Sequence, residues 1–239
     1  MKIALLGYGK MGHVIEKIAL QRGHEIVLRK SIEDTFEGLE NADVAIDFSA
    51  PDAAVENISS ALKLGIPVIS GTTGWLSEYE NMVALCNEKN TAFISSSNFS
   101  LGVNIFFELN AYLAKIMSKF DAYKVGIEEI HHTQKLDSPS GTAISLANGV
   151  IENSNYQNWT LKNPVATDIL IDAKRIENVP GTHTVTYNSE IDSIEIKHVA
   201  HNREGFALGA VIAAEWILGK QGVFTMKDVL EFNLKMSQF

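Results

Sequence analysis

The chain has 239 residues, 46% apolar and 21% charged, with 17 glycines and 5 prolines; this is the composition of an ordinary folded protein and excludes a disordered or low-complexity one. That length permits one or two domains with a sizeable buried core. A formal charge of −9 excludes a general surface for nucleic acid or anionic membrane, because the net field repels phosphate, but it leaves room for a small basic pocket.

From the N-terminus, short apolar runs alternate with helical periodicities. Residues 2–6 read as a strand, 10–22 as a helix closed by Gly23, 25–29 as a second strand and 43–48 as a third. A helix follows with Pro51 in its first turn and ends at Gly65, before a strand over 68–70. Ser77 and Glu80 have capping-box spacing at the start of a helical pattern over 77–88, which leads to a strand over 92–95. Such an alternation implies a parallel sheet with right-handed crossovers and helices on both faces. Cys86 falls within the last of these helices and has no possible partner in the chain, so it is expected to be a structural thiol.

The pattern changes after residue 101. A long helix over 103–119 precedes a strand over 122–132. Three strand-like runs, 169–176, 182–188 and 193–200, then follow with no helix between them. This predicts a second, α+β domain on a mostly antiparallel or mixed sheet. Residues 152–163 read as a flexible loop, and helices over 206–218 and 226–235 close the chain, the last packing on the first domain. The expected division is 1–101 with 208–239 against 102–207. No apolar run approaches the ~20 residues of a membrane span. With Met1 leading straight into a strand, the expectation is a cytoplasmic protein.

The first strand runs directly into "GYGKMG", residues 7–12. At a first β-α turn, Gly7 permits the tight turn, Gly9 lets backbone approach a pyrophosphate, and Gly12 lets the helix lie close to the sheet; Tyr8, Lys10 and Met11 complete the loop. The first domain is thus expected to be a Rossmann-like dinucleotide-binding domain. Where an acidic residue would bind a free ribose 2′-hydroxyl, the second strand instead ends in Arg29, Lys30 and Ser31, which suit the 2′-phosphate of NADPH. Glu33 and Asp34 lie close enough in sequence to serve NADH instead. Loops at later strand ends, with Gly71, Thr72 and Thr73 in one and Ser96, Ser97, Asn98 and Phe99 in another, offer small polar groups at the same sheet edge, where ligands of open α/β folds bind; simple helix capping explains each of them equally well alone.

"HHTQKLDSPSGTA", residues 131–143, ends the strand of the second half. Adjacent strand residues face opposite ways, so His131 and His132 cannot share one face. Lys135 follows in the loop, and Ser140, Gly141 and Thr142 open a helix whose N–H groups favour anions. Together they describe a pocket for carboxylate and a source of protons. A zinc site is the rival reading, but adjacent histidines rarely ligate one metal and no cysteine or closely spaced third ligand accompanies them, so no metal is expected.

The stretch "EIHHTQKLDSPSGTA" from Glu129 resembles the signature E-x-H-H-x-x-K-x-D-x-P-S-G-T-A of the dihydrodipicolinate reductases, and the likeness extends to "GYGKMG", "GTTG", "NFSLGVN" and "HVAHNREGFALGA". The glycine loop is one residue shorter than in many members. The resemblance implies NAD(P)H-dependent reduction of a dianionic cyclic imine, 4-hydroxy-tetrahydrodipicolinate, in diaminopimelate and lysine biosynthesis. It implies His131 as general acid/base, Lys135 as the group completing protonation, and His132, Gly141, Thr142 and Arg203 as substrate contacts. It also implies cofactor contacts from residues 7–12, 71–73 and 96–99, closure of the two domains, and a homotetramer. An amino-acid or semialdehyde dehydrogenase would share the dinucleotide half without needing the histidine-lysine constellation, and a cofactor-sensing regulator would need a DNA-binding segment that the sequence does not display.

Overall fold

The computed structural model describes residues 1–231. The chain separates into two compact units, Met1–Leu101 with Arg203–Phe239, and Gly102–Asn202.

In the first unit the strands are β1 (Lys2–Leu6), β2 (Glu25–Lys30), β3 (Val44–Asp47), β4 (Val68–Ser70), β5 (Ala92–Ser95) and β11 (Gly222–Phe224), and the helices are α1 (Lys10–Gln21), α2 (Pro51–Lys63), α3 (Tyr79–Glu88), α6 (Glu204–Ile217) and α7 (Met226–Val229). The sheet order is β11-β5-β4-β3-β1-β2, and every pairing is parallel. Because side chains alternate along a strand, β1 feeds two cores. Ile3 and Leu5 join α1, α6 and α7 on one face; Ala4 and Leu6 join α2 and α3 on the other. A sheet buried on both faces needs the near-continuous apolar strands that the sequence supplies.

The second unit holds α4 (Leu101–Met117), which begins at the boundary, β6 (Lys124–His131), α5 (Gly141–Ile151), β7 (Asn158–Thr160), β8 (Asp168–Arg175), β9 (Gly181–Asn188) and β10 (Ser193–Ala200). Its sheet runs β10-β9-β6-β8-β7. The β10-β9 and β9-β6 pairs are antiparallel, and the β6-β8 and β8-β7 pairs are parallel. Helices α4 and α5 cover one face, with Phe106, Met117, Leu146 and Val150 packed on Val125, Ile127, Ile171 and Val185.

Several local expectations change. Ser77 and Glu80 form no capping box: residues Leu76–Glu78 make a 3-10 turn, and α3 starts at Tyr79 with Glu78 as an N-cap whose carboxylate accepts the Asn81 amide and no helix N–H. The loop expected over 152–163 contains β7, which extends the sheet by pairing with β8. The three-residue β11 has too short a pattern to read from sequence, yet it pairs with β5. The closing helix is described over Met226–Val229, with Met226 and Val229 in the first core; its expected continuation to 235 lies partly outside the described residues. Cys86 is fully buried. Among the described residues no helix is long and apolar enough to cross a membrane.

One close approach fixes α6 on the chain that leaves β5. A Cβ at Gly209 would lie 1.7 Å from the Phe99 carbonyl oxygen, an impossible contact with backbone. Gly209→Ala must displace α6 or the 96–99 loop, so urea denaturation is expected to show a loss on the order of 3 kcal/mol, at the upper end of overpacking costs.

Candidate active site

At the carboxyl edge of the first sheet, Gly7 has φ +107°, and a side chain there would strike the Phe48 carbonyl 2.2 Å away. A Cβ at Gly12 would lie 2.5 Å from the Gly7 carbonyl oxygen, whereas nothing lies within 4 Å of one at Gly9. Helix α1 therefore begins over an open backbone. It has no side-chain cap and no acidic residue in its first turn, so nothing in that turn competes with an anion at its positive end. The cavity beside it, about 740 Å³, is lined by Gly7, Tyr8 and Gly9, by residues 30–34 and by residues 48–50. These features fit a dinucleotide pyrophosphate. Lys10 is exposed and Met11 half-buried on the same turn.

Behind the cavity lies a residue that the sequence did not single out. Asp47, at the end of β3, is fully buried. Its Oδ1 accepts hydrogen bonds from Ser49 Oγ at 2.6 Å and Asn57 Nδ2 at 3.1 Å. Its Oδ2 accepts from Ser70 Oγ at 2.9 Å and Thr72 Oγ1 at 2.7 Å. Burial pushes the carboxyl up, and the four donors oppose that. One side chain thus ties the 48–50 turn to α2 and to the loop after β4. In that loop Gly71 gives room to the Phe48 ring, Thr72 is buried and Thr73 is exposed. After β5, Ser96 Oγ bonds the Asn98 carbonyl and Asn98 Oδ1 accepts the Ser100 N–H, while Phe99 is buried and Ser97 exposed.

At the end of β2 the two expected cations part company. Lys30 is buried beside the cavity, with Nζ 4.7 Å from the centre of the Phe36 ring. Arg29 does not line the cavity; its guanidinium pairs with Glu16 of α1, whose other oxygen accepts the Tyr8 hydroxyl. Both Glu33 and Asp34 line the cavity, but the Asp34 carboxylate accepts the Ser31 N–H at 2.7 Å and so holds the turn.

In the second unit the buried face of β6 reads Val125, Ile127, Glu129, His131. The register sets His183 of β9 opposite Glu129 and Arg175 of β8 beside His131, so an apolar layer ends in an ionic cluster. The Glu129 carboxylate has no exposure. Its Oε1 accepts the Ser140 N–H at 3.1 Å and both terminal nitrogens of Arg175 at 3.2 Å. Its Oε2 lies 3.1 Å from His131 Nδ1, an ion-pair distance without a straight hydrogen bond. Burial raises the Glu129 carboxyl, but the His131 and Ser140 contacts outweigh it and bring it to about 2. His183 approaches Glu129 Oε2 at 3.8 Å and Ser140 Oγ at 3.2 Å. Burial, then the charge of His131, lowers it to about 4, so it is neutral near pH 7. Glu129, His131 and His183 could converge on a cation, but the Arg175 guanidinium on the same carboxylate opposes one.

His132, the first residue after β6, is half-buried. Lys135 follows in the turn, with its ammonium 2.8 Å from Asp137 Oδ1. Ser140 caps α5 by accepting the Ala143 N–H, and no acidic residue stands in the first turn, so Gly141 and Thr142 open a helix end suited to carboxylate. Arg203 lies in the first unit, exposed, at the N-cap of α6. Glu129, Arg175 and His183 were not read as site residues. Alternation along β6 could have marked Glu129, but Arg175 and His183 join only through strand register.

The family pattern described as dihydrodipicolinate reductase, N-terminus, matches residues 1–99, and the one described as dihydrodipicolinate reductase, C-terminus, matches residues 102–230. The chain belongs to the dihydrodipicolinate reductase family. A 4-hydroxy-tetrahydrodipicolinate reductase of Christiangramia forsetii is 57% identical over 96% of this chain and 98% of its own. One of Archaeoglobus fulgidus is 37% identical over 97% and 100%. The solved structure of a dipicolinate-bound dihydrodipicolinate reductase from Paenisporosarcina sp. TG-14 has the same fold, with a TM-score of 0.74 at 21% identity over 94% of this chain and 97% of the other. Family membership covers both units, and so extends the resemblance first seen around the histidine pair.

The buried cluster makes stability depend on pH with a defined sign. His183 ordinarily titrates at 6.5 and in the fold at about 4, so the unfolded chain binds more protons between those values. Its contribution is complete above 6.5 and declines as pH falls to about 4. Glu129, ordinarily at 4.5 and here at about 2, continues the loss from 4.5 downward. Thermal melts are expected to fall steadily below pH 6.5, and His183→Gln, which cannot charge, is expected to flatten the slope between 6.5 and about 4.

Proposed function

We propose that the chain catalyses the NAD(P)H-dependent reduction of 4-hydroxy-tetrahydrodipicolinate to tetrahydrodipicolinate in diaminopimelate and lysine biosynthesis. The observation that carries this reading is His131, seated on a buried carboxylate at the head of a lysine loop and an anion-favouring helix start, in a chain similar throughout its length to reductases of that name. The first unit binds the dinucleotide. The second unit, expected to span 102–207, binds substrate and carries self-association.

The substrate is a cyclic imine with two carboxylates. His132, Lys135 and the Gly141-Thr142 helix start bind these groups by fixed positive potential, with Arg203 as a further contact, and this is how an acidic protein recruits a dianion. Bound NAD(P)H supplies hydride to the ring carbon from which the hydroxyl has left. His131 and Lys135 supply the proton that neutralises the charge pushed toward the ring nitrogen. Gly7 to Gly12, with the 71–73 and 96–99 loops, hold the cofactor. No metal takes part.

For the cofactor we favour NADPH. Lys30 beside the cavity and the Ser31 hydroxyl support a 2′-phosphate, and Asp34 is committed to its turn. Arg29 adds to this only as far as Glu16 releases it, so NADH is also used. A homotetramer in the cytoplasm completes the reading. Exposed Leu170, Ile194 and Val199 on the second unit's sheet, with Leu109 and Tyr112 on α4, support association between copies.

The experiment is to generate 4-hydroxy-tetrahydrodipicolinate in place from pyruvate and aspartate semialdehyde with a synthase and follow dihydronicotinamide absorbance with each cofactor. Rapid oxidation is expected; none in folded protein would overturn the reading. Lys135→Ala is expected to lower turnover on the order of 10²-fold, the scale of a general acid. Glu16→Gln frees Arg29, and titration by intrinsic fluorescence is expected to show the ratio of NADPH to NADH affinity rising about tenfold, one good charge-assisted contact. An unchanged ratio would remove Arg29 from cofactor choice.

A further inference from the structure

The Arg175 guanidinium does more than neutralise Glu129. Besides its two contacts at 3.2 Å with Glu129 Oε1, it donates to the Asp137 carbonyl at 2.6 Å and, through Nε, reaches the Lys135 carbonyl at 3.4 Å. One planar group therefore touches both the carboxylate behind His131 and the main chain that carries Lys135. Glu129 in turn touches His131 and the first N–H of the α5 cap. Every element of the acid site meets at this pair.

We infer that Glu129 and Arg175 are a positioning pair that sets the two acid groups in register: Glu129 holds the His131 ring with Nδ1–H inward and Nε2 outward, and Arg175 fixes the 132–137 loop that presents Lys135. The inference rests on the proposed reaction for the use to which the two acids are put.

The fold alone does not call for this pair. Along β6, β8 and β9 the same face is filled by Val125, Ile127, Ile169, Ile171, Val185 and Tyr187, and the ionic groups replace apolar ones only in the last positions before the loop. Apolar residues of similar volume would serve folding as well or better, because desolvating an ion pair is expensive. An arginine fork on a carboxylate and the Lys135, Asp137 and Lys174 carbonyls provides geometry that the point charge of a lysine cannot. The Nε2 edge of the His131 ring runs over Gly181, where a Cβ would come within 3.2 Å of it, so that edge is left uncrowded.

The charges facing His131 are Glu129 on its own strand, Arg175 on β8, Lys135 in the loop and His183 on β9, the last neutral near pH 7. Lys135 is itself paired with Asp137. Among the described residues Glu129 is the carboxylate in contact with the His131 ring.

The test uses the full chain without ligands, with histidine labelled in ¹⁵N, and follows the His131 ring by long-range ¹H–¹⁵N spectra across pH. In the wild type the Nδ1–H tautomer is expected. In Glu129→Gln that single tautomer is expected to give way to a mixture of Nδ1–H and Nε2–H forms, and kcat is expected to fall about tenfold or more, on the scale by which misplacing a catalytic group slows a reaction. In Arg175→Lys, which keeps the charge, kcat is expected to fall about tenfold or more, on the scale by which misplacing a catalytic group slows a reaction, with the fold intact by thermal melt. A merely structural cation would be rescued by lysine. An unchanged tautomer in Glu129→Gln, or wild-type kcat in Arg175→Lys, would overturn the inference. Should Glu129→Gln fail to fold, Glu129→Asp carries the same test, since it keeps the charge but retracts it, and wild-type kcat there would overturn the inference too. The spectra need no substrate, so a wild type that shows the expected tautomer without turning over 4-hydroxy-tetrahydrodipicolinate would sink the proposed reaction and not the pair.

Discussion

A carboxylate taken out of water must be satisfied from every side, and both units are organised around one. The fully buried Asp47 and Glu129 each stand at the carboxyl end of a strand, where an apolar residue would otherwise continue the core. The requirement differs in kind between them. Asp47 is met by four neutral donors, three hydroxyls and an amide, drawn from three separate segments. Glu129 is met by a guanidinium, a backbone N–H and an imidazole. Since leaving any one donor out would strand a buried charge, each carboxylate fixes the loops that converge on it.

That difference matches what each edge is asked to do. Around Asp47 the donors carry no charge, so the local field at this edge is left to α1, whose first turn has no acid and no side-chain cap. Around Glu129 the partners include groups that gain or lose protons, and the carboxylate stays ionised well below neutral pH. Neutral satisfaction ties loops together without adding charge; ionic satisfaction keeps a fixed negative charge beside two imidazoles.

Much of this was legible in the sequence because the signals were local. Alternating runs gave β1, β4 and β5 with their observed bounds, and the glycine spacing placed the turn at Gly7 and Gly9. What escaped had no local signature. The strand β7 is three residues long and owes its conformation to β8, and β11 likewise to β5. Ser77 and Glu80 matched a capping pattern, but the chain enters α3 through a 3-10 turn and leaves its start without a side-chain cap. His131 and Lys135 were visible as a motif, whereas Arg175 and His183 reach Glu129 only because β6 pairs with β8 on one side and β9 on the other. Register between strands distant in sequence is what a single sequence conveys least.

The same limit explains why the end of β2 was read only in part. Arg29 and Lys30 are adjacent cations and look alike as letters, but successive strand residues face opposite ways. Lys30 turns in beside the cavity, under the Phe36 ring, and Arg29 turns out to Glu16 on α1. Glu16 also takes the Tyr8 hydroxyl from the glycine turn, so the helix, the turn and the strand end share one carboxylate. Under the proposed cofactor reading, a cation so held adds to a 2′-phosphate contact only the difference between two anionic partners. Discrimination between the cofactors then depends less on how many cations follow β2 than on which of them already has an acid to answer.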